Sequence, residues 1–248
     1  AGTQQIEEKL REMYPQARIL RMDADTTRTK DSYEKILSAF SNREADILIG
    51  TQMIVKGHDF PGVTLVGILA ADLSLAAGDY RAGERTFQLL TQAAGRAGRG
   101  DRPGEVVIQT YQPEHYAVTY AAKQDYEGFY QEEILYREML GYPPTAHMLA
   151  VQIFAREEES GAKLSAYLAH IAAQSVDATE KVGKRLTIVG PSPAAIGRIN
   201  DIFRFVFYLK YGEYDKLVEI KDTLEKMIKQ MDLKRESVQF DFDPMNTL

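Results

Sequence analysis

Cysteine is absent from the 248 residues, and so is tryptophan. Without thiols the chain can form no disulfide and no thiolate metal site. Its four histidines, at 58, 115, 147 and 170, are scattered, so no metal site is expected. No apolar run approaches the ~18 residues of a membrane span, and the N-terminus lacks a signal-peptide pattern. Basic charge is not in excess either: 30 Lys and Arg face 36 Asp and Glu, a net charge of −6. That balance excludes a surface coated in positive charge for non-specific nucleic-acid binding. Any phosphate contact must be local, a groove or a few arginines. A cytoplasmic protein that does not associate with membranes is the expectation.

Two nucleotide signatures are also missing, G-x-x-x-x-G-K-[ST] and D-E-x-H. The chain therefore lacks the usual phosphate cradle and the carboxylates that hold its magnesium. It opens directly on a helical pattern with no preceding strand, which reads as a segment of a longer protein.

What is present is ordinary for a globular chain, 44% hydrophobic and 27% charged, enough for one large core or two modest ones. The pattern predicts a helix over 4–13, a strand over 18–22, a helix ending at Phe40 and a strand over 46–49. A strand over 63–69, a helix over 82–97 and a strand over 105–110 follow. Helices alternating with hydrophobic strands predict a parallel sheet covered on both faces. Residues 112–144 then turn helical and aromatic, and Pro143-Pro144 marks a boundary. Those aromatics read first as packing groups and second as base-stacking platforms. Beyond them the order is strand 147–155, helix 157–178, strand 186–189, strand 202–211, helix 214–231 and strand 237–242. This βαββαβ order is that of a ferredoxin-like split βαβ unit. The expected organisation is an α/β lobe over 1–111, a helical linker over 112–144 and a small α+β domain over 145–248.

Two constellations carry chemistry. In the first, a buried strand ends at Gly50-Thr51-Gln52, and Lys56-Gly57-His58-Asp59 follows. Small residues let a backbone approach phosphate closely, and the Thr51 hydroxyl and amide can donate to it. Asp59 is an acceptor suited to a ribose hydroxyl or an arginine. In the second, Gln92-Ala93-Ala94-Gly95-Arg96-Ala97-Gly98-Arg99, the spacings of four and three put Gln92, Arg96 and Arg99 on one helix face. Two glycines inside a helix cost about 1 kcal/mol each relative to alanine, so something is expected to approach that surface. A pair of arginine forks beside a glutamine suits a terminal phosphate and the charge of phosphoryl transfer.

Q-x-x-G-R-x-G-R resembles motif VI of superfamily 2 helicases, and the segment from Gly50 to Asp59 resembles motif V. The likeness narrows over Arg81-Ala82-x-Glu84-Arg85-Thr86-Phe87-Gln88, Arg21-Met22-Asp23-x-Asp25-Thr26-Thr27 and the ending Asp241-Phe242-Asp243-Pro244. Together these are similar to the PriA (primosomal protein N′) family of replication-restart helicases. The resemblance implies a RecA-like second motor lobe and a C-terminal domain from a 3′-to-5′ DNA helicase that loads the primosome at stalled forks. It implies Arg99 as arginine finger, with Arg96 and Gln92 completing the catalytic surface and Gly57 and Asp59 near the nucleotide. Thr51, Gln52 and Lys56 would line the DNA side. ATP with Mg²⁺ would be bound mainly by a preceding lobe, and the family's zinc would lie outside this chain. Expected partners are fork and single-stranded DNA, the single-stranded DNA-binding protein and other primosome proteins. Gly78 departs from the family pattern, which has proline there.

In the C-terminal domain, strand pleating puts Arg204, Val206, Tyr208 and Lys210 on one face and Phe203, Phe205, Phe207 and Leu209 on the other. The phenylalanine face should be core. The Arg204-Tyr208-Lys210 face is a candidate for tracking single-stranded DNA, or else an ordinary charged sheet face. Two other functions stay open, a fork translocase of the RecG type and a non-catalytic DNA- or protein-binding module of motor ancestry.

Overall fold

The computed structural model describes residues 2–27, 30–55, 60, 62–76, 78–98, 103–175, 186–233 and 235–246. The chain forms two compact units, Ala1–Ala77 with Ala82–Phe129, and Gly78–Arg81 with Tyr130–Leu248.

The first unit holds α1 (Thr3–Met13), β1 (Ile19–Met22), α2 (Lys30–Ser41), β2 (Ile47–Gly50) and a 3-10 turn (Gln52–Val55). Then come β3 (Leu65–Ile68), α3 (Asp72–Leu75), α4 (Ala82–Ala94), β4 (Glu105–Ile108), α5 (Tyr116–Lys123) and the start of α6 (Tyr126–Leu140). Its strands are parallel, as the alternation predicts, but among the described residues they pair two by two, β1 with β2 and β3 with β4. The register of the first pair is set one residue before each strand. Arg18 donates its backbone N–H and its guanidinium to Asp46, with side-chain contacts of 3.0 and 2.8 Å. This partner holds the Asp46 carboxyl at about 2.

The apolar stripe of α2 behaves as its spacing requires. Leu37 is buried with Met22 and Phe60, and Ile36 and Phe40 pack against them. Burying one such side chain stabilises the fold by roughly 1.5–3 kcal/mol. A second cluster joins Phe87 and Leu90 of α4 to Ala117, Val118 and Ala121 of α5 and to Phe129. The Phe87 and Phe129 rings stack 4.2 Å apart, and Tyr116 stacks on Phe129 at 5.8 Å. These aromatics of the helical stretch are packing groups.

The second unit contains β5 (His147–Ala155), α7 (Glu158–Gln174), β6 (Thr187–Ile199), β7 (Ile202–Tyr211), α8 (Tyr214–Gln230) and β8 (Glu236–Phe242). The sheet order is β6-β7-β5-β8, and each neighbouring pair is antiparallel. Strand β7 thus lies between β5 and β6, which is the split βαβ arrangement. Both helices cover one face: Leu164, Leu168, Leu217, Ile220 and Leu224 pack on Leu149, Val151, Ile153, Phe205, Phe207 and Leu209. Asn200 and Asp201, both at positive φ (48° and 61°), form the tight turn between β6 and β7. Strand β6 runs ten residues past its expected end at 189, with register breaks after Val189 and after Pro193. As an edge strand it tolerates Pro191 and Pro193, which have no N–H to donate.

Candidate functional site

In the first unit β2 ends at Gly50. A Cβ there would lie 2.6 Å from Ile54 Cγ2 and 2.7 Å from the Met22 carbonyl oxygen, so local packing alone requires glycine. The chain then bends at Thr51 and coils into the 3-10 turn, with Ile54 donating its N–H to Thr51 O. Thr51 and Gln52 are both exposed. Lys56, Gly57 and Asp59 lie outside the described residues. The 3-10 turn and β3 both neighbour α4.

Helix α4 is shorter than its spacing predicts, stopping at Ala94 rather than 97. Gly95 still donates to Thr91 O, but Arg96 and Ala97 bond three residues back, to Ala93 O and Ala94 O. That tightening ends the helix. Gly98 turns away at φ 72° and donates to Val63 O. It is therefore not a helical glycine, and the expectation of two glycines inside one helix gives way to a different reason for Gly98. A Cβ on Gly98 would lie 2.7 Å from the Gly104 nitrogen, and a Cβ on Gly104 would meet Gly98 N and lie 2.5 Å from the Ala97 carbonyl carbon. The two backbones cross here. Glu105 next donates to Thr64 O, so residues 63 and 64 hold both ends of the loop that begins after Gly98. Gln92 is exposed on α4, and Arg96 is half-buried in the terminal turn. Arg99, between the two pinched glycines, lies outside the described residues.

Asp23, past the end of β1, has a structural explanation. Its buried carboxylate accepts from Thr3 Oγ1 (2.5 Å), Asp25 N (3.1 Å) and Thr26 N (3.0 Å), with Arg21 Nε at 3.3 Å. The Thr3 hydroxyl foremost, then the Thr26 amide, hold it below the usual carboxylate range. The turn from Asp23 to Thr27 is thereby held by its own hydrogen bonds together with the one from Thr3.

In the second unit the phenylalanine face of β7 is core, as pleating requires. The opposite face is not the open surface that alternation suggested. Arg204 lies over the Phe154 ring at 5.7 Å, while Val206 is buried. Lys210 Nζ donates to Leu140 O at 2.7 Å and sits 4.0 Å from the centre of the Tyr142 ring. Burial pushes its ammonium below the ordinary lysine range. Burial, then the nearby Asp79 carboxylate, pushes the Tyr208 phenol up. Tyr208 and Lys210 line a cavity of about 240 Å³ with Asp79, Tyr80, Tyr142 and Ser192. The pleating put Arg204, Tyr208 and Lys210 on one face correctly; what it missed is the cover, because Gly78–Arg81 come from far away in sequence.

The ending Asp241-Phe242-Asp243-Pro244 also has a local role that spacing did not reveal. Asp243 donates its N–H to Met148 O (2.7 Å) and accepts the Met148 N–H (2.7 Å), with His147 Nδ1 at 3.2 Å. It clips the chain end to the start of β5. Among the described residues there is no group of three His, Asp or Glu placed to hold a metal ion, and no helix long and apolar enough to cross a membrane.

Residues 1–101 match the helicase conserved C-terminal domain, and residues 138–245 match the primosomal protein N C-terminal domain. The two matches, with the fold, thus define a helicase C-terminal lobe followed by a primosomal C-terminal domain. The chain is 43% identical, over 98% of its length, to the replication restart protein PriA of Bacillus subtilis. It is 39% identical over 99% of its length to that of a Synechocystis species, and 39% identical over 85% to that of Chlamydia trachomatis. It spans 30%, 28% and 27% of those proteins. Over nearly its whole length the chain is similar to a fragment of the PriA replication restart proteins, a helicase C-terminal lobe followed by the primosomal C-terminal domain.

Proposed function

We propose that this chain is the second motor lobe and C-terminal domain of an ATP-dependent 3′-to-5′ DNA helicase that restarts stalled replication forks and loads the primosome. The observation that carries this reading is the join of the two matched domains in one chain, together with whole-length identity to replication restart proteins. In this reading the lobe spans 1–111, a helical connector 112–144 and the C-terminal domain 145–248.

Catalysis is assigned to the end of α4. Arg99 reaches the terminal phosphate as arginine finger, and Arg96 and Gln92 complete that surface; Gly57 and Asp59 face the nucleotide. The exposed side chain of Gln92 and the pinched loop after Gly98 support this assignment, because a finger needs a fixed base. Mg²⁺-ATP is held mainly by a separate P-loop lobe. Thr51, Gln52 and Lys56 contact DNA, and exposure of the first two fits that role.

The C-terminal domain binds fork or single-stranded DNA and the single-stranded DNA-binding protein. Arg204 is its most available cation on the β7 face, whereas Tyr208 and Lys210 act from within the cavity. The test is steady-state ATP hydrolysis with fork DNA. The full-length protein hydrolyses ATP in a DNA-stimulated reaction, and the 248-residue chain alone does not. DNA-stimulated turnover by the chain alone would overturn the division of labour.

A further inference from the structure

The cavity at Tyr208 and Lys210 takes up one end of the β7 face that looks away from the helices, and the other end carries a different set of side chains. Register fixes their places. Phe154 of β5 lies opposite Arg204 of β7 on one side and Ser237 of β8 on the other. One pleat along, Gln152 lies opposite Val206 and Gln239. Residues two apart on a strand share a face, so Ser237, Phe154, Arg204, Gln239 and Gln152 form one patch. Ser237 and Gln239 are exposed, and Phe154, Arg204 and Gln152 are half-buried. All five lie in the second compact unit. Asp241, an acidic residue on the same face, stands two pleats along β8 from Ser237, about 13 Å of strand.

Two features mark this patch as a place for a ligand. Arg204 lies over the Phe154 ring at 5.7 Å, and among the described residues its guanidinium has no hydrogen bond or ion pair. Arg198 and Arg235, by contrast, are paired with Asp201 at 2.6 Å and Glu157 at 3.1 Å. A guanidinium that lies on a ring keeps the N–H donors of its edge available. The side-chain amides of Gln152 and Gln239 also have no hydrogen bond among the described residues. The second feature is the edge strand beside Arg204. Strand β6 pairs with β7 at Pro193–Phe205 and again at Arg198–Phe203, so four residues of β6 stand against Arg204 alone. Such a bulge bends the strand and interrupts its ladder. Ala194, within the bulge, lines a shallow recess with Gln152, Phe154 and Arg204.

We propose that this patch is a stacking platform for one base of single-stranded DNA, with Phe154 and Arg204 beneath the base and Gln152 and Gln239 at its edge. The inference rests on the reading above that the C-terminal domain binds single-stranded DNA, and it adds Phe154, Gln152 and Gln239 to the residues that do so. Strands β5 and β7 are the central pair of a four-stranded antiparallel sheet whose other face is covered by both helices. Sheets of that build hold single strands on the open face, with aromatic side chains under the bases. A ring capped by a guanidinium offers a base both dispersion and charge in one stack. An amide both donates and accepts, so two glutamines suit the polar edge of any base. The net charge of −6 requires DNA contact to be local, and the edge of Arg204 supplies donors for the phosphate beside the stacked base.

The test is fluorescence anisotropy of the 248-residue chain with a labelled oligothymidylate of about 15 nucleotides, and with an abasic oligomer of the same length, over a salt series. Phe154→Ala is expected to weaken oligothymidylate binding about tenfold and to leave the salt slope unchanged, because stacking neutralises no phosphate. On the abasic oligomer the parent and Phe154→Ala are expected to bind within about twofold of one another. Phe154→Tyr, which restores a ring, recovers most of the loss. A Phe154→Ala chain that is folded by circular dichroism and binds oligothymidylate like the parent overturns the platform. So does an equal loss on the abasic oligomer, which would give Phe154 a structural role only. Should Phe154→Ala fail to fold, Phe154→Leu decides: a loss confined to oligothymidylate supports the platform, and parental affinity overturns it. If the parent chain binds no single-stranded DNA, the DNA reading of the C-terminal domain fails and the platform with it. Binding that is indifferent to Phe154 overturns the platform alone and leaves that reading standing.

Discussion

Gly98 and Gly104 pass one another backbone to backbone, with no room for a Cβ on either. The loop between them begins and ends at one point, which is fixed to residues 63 and 64. Gly104→Ala is therefore expected to destabilise the first unit by about 1–3 kcal/mol, the usual cost of forcing a methyl group into filled space. Urea unfolding of the chain reads this directly. An unchanged midpoint would mean that the crossing opens at no cost, and that the loop is not held as described.

Asp46 lies beside Arg18 with its carboxyl held at about 2. A depressed carboxyl adds stability above its unfolded value, and that stability is lost as pH falls through the folded one. The window is thus from about 4 down to about 2. Asp46→Asn should be less stable than the parent at about pH 6, and the gap should close across that window. Both side chains are exposed, so the gap is small and shrinks with salt. A gap that is constant with pH would assign the difference to something other than this pair.

Much of the second unit is legible in its sequence. Strands β5 and β7 fall where alternation puts them, because one face of each carries Leu149, Val151, Ile153, Phe205, Phe207 and Leu209 into a single core. The full length of β6 is not legible, since Gly190-Pro191-Ser192-Pro193 has the composition of a loop yet follows a sheet edge. The cover over Tyr208 and Lys210 is invisible for another reason: Tyr80 lies more than a hundred residues away, and no local pattern announces a long-range aromatic stack. In the first unit the glutamine and arginines of the α4 end stand out by residue type and spacing. The end of the helix itself was misplaced, because Gly98 serves the crossing with Gly104 rather than the helix.

Asp243 fastens the chain end to β5 through both backbone directions of Met148. Asp243→Ala removes the acceptor for the Met148 N–H and the contact with His147. The loss expected is about 1–3 kcal/mol in the second unit, the cost of leaving a partly buried donor unsatisfied. Chemical denaturation followed by tyrosine fluorescence would detect it. A change below about 0.5 kcal/mol would reduce the clip to an incidental contact.

Arg204 and Lys210 should separate in their effects on DNA. Arg204→Ala is expected to weaken fork-DNA binding and to make its salt slope shallower by about one contact. Lys210→Ala is expected to lower stability and leave that slope unchanged, because its ammonium is engaged by Leu140 O and the Tyr142 ring. Fluorescence anisotropy over a salt series measures both. The reverse pattern would put Lys210, not Arg204, on the DNA.

The central claim is that this chain supplies the arginine finger of a DNA-dependent ATPase. It is tested most directly by Arg99→Ala in the full-length protein, with ATP turnover and DNA affinity measured on the same preparation. The account predicts that kcat falls by roughly 10³ or more, the scale of a lost finger, while DNA binding stays within about twofold. Turnover near that of the parent, or a parallel loss of DNA binding and turnover, would contradict it.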